Sequence, residues 1–303
     1  MDSSIIAKYY FLAQEITIYC GLFIATLGVF GGLLNVLVFT TLKTFRKTSC
    51  IFYLITASIV NVGQLLTSLL IRILAVGFHI DPTSISWICK IRIFSIQFCG
   101  VISLACMSLA TIDQFMSLSK QHVSNLYTAH RNIMIACILI TIHGIFFLIY
   151  YDTPNGVCVI VNPNFEKYFS YFYFPVVLGF APVTIMVTFA SIAFYNTRTI
   201  ASRRVHMERL SRDRQITAMV LVQVVFIVLL TVPYIICNIY TMSLVTKNEL
   251  LIARLYLLNA STILGYYGSY SVSITFKERN KNVNLTFLSE FILCFLLCIK
   301  EIS

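Results

Sequence analysis

Residues able to do chemistry are sparse in this chain of 303, and most of them sit inside long apolar runs. Arg72 is the sharpest case. A cation near the end of such a run either serves as a hook for an acidic, carboxylate-bearing ligand or bends its head back to the membrane interface. Asn35, Asn61 and the Ser269–Tyr270 pair bring hydrogen-bonding groups without charge, suited to a polar centre among helices or to interhelical packing worth about 0.6–2 kcal/mol per contact. Pro233 lies well inside an apolar run, where it removes an i→i−4 hydrogen bond and gives a helix a pivot; prolines are also tolerated in membrane helices without motion. Enzyme chemistry finds no support. No cluster with metal-ligand spacing, no nucleophile–base pair and no phosphate loop stands out, so the sequence predicts no catalysis and no cofactor.

The elements that must position these groups are long. Seven mostly apolar stretches, near 17–42, 50–76, 91–116, 132–151, 169–195, 215–240 and 250–274, each have the roughly 20 residues that a helix needs to cross a bilayer core about 30 Å thick. Hydrophobic residues make up 58% of the chain and charged ones 11%, and the mean hydropathy of +0.86 excludes an ordinary soluble domain. The expected fold is an all-α membrane protein: a seven-transmembrane helix bundle over 17–276, a short extracellular N-terminus over 1–16, and a cytoplasmic tail over 277–303 with an amphipathic, interfacial helix. The N-terminal segment lacks a basic region and a small-residue cleavage site, so the first span is expected to act as its own insertion signal.

Charge placement orients the chain. Fifteen of the twenty-two Lys and Arg residues fall on the connections after spans 1, 3, 5 and 7 or on the tail. That bias predicts the N-terminus outside and the C-terminus inside a plasma membrane. It explains the net charge of +10 without nucleic acid, since basic clusters at an inner leaflet meet anionic lipid. Of ten cysteines, Cys20, Cys99, Cys106, Cys137 and Cys237 lie within spans and Cys50 at a cytoplasmic edge. Cys89 and Cys158 are left facing an oxidising compartment, as a bridge over the bundle or as two free thiols.

Several spacings recur in order along the chain. Asn35-Val-Leu-Val38 lies in span 1, Cys89 opens span 3 with Asp113 twenty-four residues later, Pro233 follows Asp213 by twenty, and Tyr270 precedes Phe276 by six. Together these resemble the rhodopsin-like (class A) seven-transmembrane receptors that couple to G proteins, over roughly residues 17–280. The departures are equally plain. Asp113-Gln114-Phe115 replaces the family's Asp-Arg-Tyr, Tyr266-Tyr267 its Asn-Pro, Thr231 its toggle aromatic, and Asn61 aligns with its sodium-site aspartate. The pattern is similar to divergent orphan receptors of invertebrate expansions.

The resemblance implies an extracellular peptide or small-molecule ligand and a heterotrimeric G protein as partners, with movement of span 6 as the transducing step. By register it places Ile93, Ile96, Gln97, Gly100, Tyr234, Asn238, Ile252 and Tyr256 around an outer cavity with Arg72. Ile96 stands where amine receptors carry an aspartate, and span 7 has no lysine for a retinal Schiff base. Asn35, Asn61, Asp113, Gln114, Asp213, Pro233 and Tyr270 become the switch. Gln114 facing Asp213 restrains the closed state more weakly than an arginine fork would, which implies raised basal activity. Arg198, Arg203, Arg204, Arg209, Arg212 and Arg214 offer a basic G-protein contact, and Cys294 and Cys298 sites for palmitoylation. A signalling-deficient scaffold is the main alternative; a transporter is a weaker one, because no internal halves are visible.

Overall fold

Backbone N–H and C=O groups inside hydrocarbon must be satisfied within the chain, which leaves helices as the natural solution for long apolar runs. The computed structural model describes residues 2–41, 48–118, 126–201, 207–243 and 248–271. Seven helices among them are long and apolar enough to cross a membrane. They are α1 (Asp2–Thr41), α2 (Ser49–Gly77), α3 (Ser86–Leu118), α4 (Leu126–Tyr150), α5 (163–201), α6 (Met207–Ser243) and α7 (Glu249–Ser271). The chain is an all-α, multi-pass membrane protein built as a seven-helix bundle.

Neighbouring helices close a ring. α1 packs on α2 and α7, α7 on α6, and α6 on α5, while α3 runs through the middle against α2, α4, α5 and α6. α4 is the most peripheral span, and its Met134, Ile138, Leu139, Ile142 and Ile149 point outward. In water such a surface would aggregate; in lipid it is the solvated face. Two glycines allow close approach. A Cβ on Gly28 would collide with Leu65 of α2 and stand 2.8 Å from Cβ of Ser271 on α7; one on Gly144 would stand 2.6 Å from the Phe94 ring.

α1 starts far earlier than hydropathy alone predicts. Residues 2–16 continue the helix, because Tyr9, Leu12, Ala13 and Ile16 pack into the α1–α2–α7 core and Gln14 Nε2 donates to Gly77 O at 2.7 Å. Two helices also depart from α geometry. α2 widens to π-helix at Leu65–Leu69 and Ile73–Gly77, and α5 does so over Phe169–Phe180. The α5 segment contains Pro175, whose missing N–H breaks the ordinary ladder. α6, by contrast, runs on through Pro233 as one α-helix.

At one end a short hairpin caps the bundle. β1 (Tyr151–Asp152) pairs antiparallel with β2 (Val159–Ile160) across a turn where Asn155 and Gly156 take φ of 62° and 74°. Cys158 beside β2 is bonded to Cys89 of α3, with the Cα atoms 5.7 Å apart. Asp152 adds a polar clasp: it accepts from Ser86 Oγ at 2.6 Å and the Thr153 amide at 2.9 Å, with Lys90 Nζ at 3.9 Å. The Ser86 and Thr153 hydrogen bonds, helped by the Lys90 charge, hold this carboxyl below its ordinary value of 3.8.

Two outcomes follow from this cap. Because the folded-state value is depressed, the clasp is fully present above the ordinary aspartate range and is lost as pH falls below it. Thermal unfolding of Asp152→Asn should therefore lose part of the acid-side pH dependence of the parent chain; identical profiles between pH 2.5 and 5 would contradict the clasp. The Cys89–Cys158 bond closes a loop of sequence separation 69. Chain-entropy arguments give it a value of about 4 kcal/mol. Cys158→Ser should lower the unfolding midpoint, and mass spectrometry should find two fewer alkylated cysteines in the parent chain before reduction than after.

Candidate functional site

Polar side chains that a bundle buries must find partners across helices, and their positions mark where the helices are locked or hollow. A seam of such groups runs between α2, α3, α6 and α7, below the disulfide cap. Ser68 of α2 shares a hydrogen bond with the Tyr267 hydroxyl of α7. One turn further along α7, Tyr270 bonds to the Tyr266 hydroxyl. The Tyr266 ring stacks on Tyr234 of α6 with centroids 4.5 Å apart, and Phe174 of α5 meets Tyr234 edge-on at 5.5 Å. Gly100 of α3 makes room for this cluster: a Cβ there would stand 3.3 Å from the Tyr266 hydroxyl. Four helices thus meet through one tyrosine stack.

The seam also contains unmet polar atoms. Gln64 is fully buried with neither amide atom hydrogen-bonded, and the Nε atoms of Arg72 and Arg92 are buried without partners. Lower down, Ser103 Oγ donates to Asn61 Oδ1 at 2.6 Å, tying α3 to α2. A second polar relay leads sideways. Gln97 meets His143 Nδ1 at 3.2 Å, and His143 Nε2 meets the Tyr168 hydroxyl at 2.9 Å. His143, Tyr168, Phe146, Tyr150, Asn162, Asn164 and Phe165 line a groove of about 450 Å³ between α4 and α5, on the flank of the bundle.

At the end opposite the disulfide, α3 and α6 are joined directly. Thr217 Oγ1 donates to Gln114 Oε1 at 3.0 Å, and both side chains are buried. Thr217 lies one helical turn beyond Asp213, so Gln114 has a neutral, fully enclosed partner on α6. The carboxylate of Asp213 and the side chains of Arg198, Arg209, Arg212 and Arg214 lie outside the described residues, as do Arg203, Arg204, Cys294 and Cys298. Asp113 is half-buried beside Gln114.

The residues expected around one cavity divide into three places. Arg72, Gly100 and Tyr234 belong to the seam. Gln97 faces His143, Ile93 packs into the aromatic core with Phe147 and Tyr173, and Ile96 is half-buried on the same helix. Asn238 turns back on its own helix, donating to Tyr234 O at 2.8 Å. Ile252 and Tyr256 are exposed, and the Tyr256 ring rests on Tyr10 of α1 at 5.1 Å. Asn35 is buried, and Tyr270 is bound into the stack. Sequence reasoning passed over Ser68, Gln64, Arg92, His143 and Thr217. The Tyr266, Tyr267, Tyr270 spacing was the available signal, since i and i+4 share a helix face.

Fold and site together define a class: a polytopic seven-helix protein with a tyrosine-bonded polar seam. The chain matches no protein-family model, and no curated protein matches it.

The Ser68–Tyr267 contact should behave as one unit. Tyr267→Phe and Ser68→Ala each remove a buried partner, at a cost of about 0.6–2 kcal/mol. Their combination should cost clearly less than the sum in a thermal-unfolding double-mutant cycle. Strict additivity would show that the two hydroxyls do not interact.

Proposed function

We propose that the chain is a plasma-membrane receptor that passes a signal from its disulfide end to its opposite end through α6, and hands it to a heterotrimeric G protein. The carrying observation is the Gln114–Thr217 hydrogen bond, which fastens α6 to the central helix α3 at the end away from the seam. Pro233 lies between this fastening and the disulfide end, next to Tyr234, which touches α7 and α5 through its ring. A ligand that displaces the Tyr234–Tyr266 stack would act on the same helix that the lower contact restrains. The order of spacings resembling rhodopsin-like receptors and the basic third connection support this reading, as does the excess of Lys and Arg on alternate connections, which favours an outward N-terminus.

Replacing an arginine fork by a neutral amide–hydroxyl bond leaves a weak restraint. One such bond is worth about 1 kcal/mol, or about fivefold in a two-state population. Thr217→Val and Gln114→Leu should each raise ligand-independent nucleotide exchange on a co-reconstituted G protein by about that factor, and together no more than either alone. Basal exchange that is identical in the parent chain and both variants, with folding verified by unfolding midpoint, would favour the signalling-deficient scaffold instead.

A further inference from the structure

Two arginines stand within electrostatic range of each other in the seam, and among the described residues neither forms an ion pair. Arg72 sits near the end of α2 and Arg92 near the start of α3, and each has a buried Nε with no hydrogen-bond partner. The pair lies within electrostatic range of one another, with Tyr267 beside Arg92 and Tyr234 within range of Arg72. Asp81 is the acid that Arg92 senses, and its Oδ1 already accepts from the Thr83 amide and hydroxyl. Among the described residues the one ion pair joins Lys90 to Asp152, not either of these arginines. Two turns before Arg72 on the same helix, the fully buried Gln64 amide adds an unpaired donor.

Two half-buried guanidinium groups within electrostatic range repel, and enclosing each Nε costs hydration, so the arrangement is costly unless something anionic joins it. A snorkelling arginine would take its head outward, away from a neighbouring cation. We propose that Arg72 and Arg92 form an anion-binding subsite between α2, α3 and α7, which takes the carboxylate, sulfate or phosphate group of an acidic ligand. The guanidinium forks supply charge-assisted donors, and the Tyr234–Tyr266 rings give the ligand's apolar body a wall to stack on. That this anion is the signalling ligand rests on the receptor reading; the binding itself does not, and it is measured with no G protein present.

The test is thermal unfolding of the full chain in phosphatidylcholine nanodiscs, titrated with sulfate, phenylacetate or the neutral isostere phenylacetamide at chloride-matched ionic strength. Sulfate or phenylacetate should raise the unfolding midpoint, phenylacetamide should not, and Arg72→Gln or Arg92→Gln should each weaken the anion's apparent affinity about tenfold or more. Arg254→Gln, which removes a cation set over the Tyr9 ring at 5.8 Å, should leave that affinity unchanged. A parallel series in discs containing phosphatidylglycerol separates the sources of anion. A shift produced by that lipid and lost in both arginine variants supports the subsite with a headgroup as occupant. Because removing either half-buried cation relieves its repulsion with the other, the unliganded midpoints of Arg72→Gln and Arg92→Gln should hold or rise. A fall in both would reveal an internal partner and overturn the proposal, as would anion shifts equal in parent and variants, or no Arg-dependent shift from either free anion or lipid.

Discussion

A polar atom taken into a bilayer without a partner costs more than almost any packing contact returns, and this asymmetry organises the whole bundle. The backbone meets it by forming seven helices. Side chains meet it by pairing across helices: Ser68 with Tyr267, Ser103 with Asn61, Thr217 with Gln114, and Asn132 with the Tyr53 hydroxyl at 3.3 Å. Each of these bonds joins a different pair of helices. Since apolar faces give little preference for one helix register over another in lipid, such bonds are well suited to fixing the register.

The distribution of these ties divides the molecule by depth. The disulfide end is held covalently and by the Asp152 clasp, and its hairpin leans on an aromatic core of Phe147, Phe165 and Tyr173. The opposite end is held by apolar packing of α2 through α6 and by hydrogen bonds that include Gln114 to Thr217 and Asn132 to Tyr53. Between them lies the seam, where tyrosines pair closely while Gln64, Arg72 and Arg92 retain unmet atoms. The π-helical stretches of α2 and α5 border that seam, so backbone irregularity and unmet polarity occur in the same layer.

Much of this was legible from residue types. Seven spans, the all-α class and the positions of Cys89 and Cys158 outside the hydrocarbon follow from apolar run length. The start of α1 was not, because residues 2–16 mix polar and apolar side chains and owe their helix to contacts with α2 and α7. Nor was the scatter of the expected cavity residues. Helical register places Ile252, Tyr256 and Asn238 correctly along their helices but cannot say which neighbour each face meets; Tyr256 meets Tyr10 and Asn238 meets its own backbone.

Composition and run length by themselves determined that the chain crosses lipid seven times as helices, since hydrocarbon solvates apolar side chains and refuses unpaired backbone. Which polar groups pair, and which stay unmet, was decided only by the tertiary arrangement. Gln114 could not be matched to Thr217, nor Arg92 brought beside Arg72, from spacing along one helix. Those relations depend on how far each helix is rotated and shifted against its neighbours, and that is set by close contacts such as Gly28 against Leu65 and Ser271.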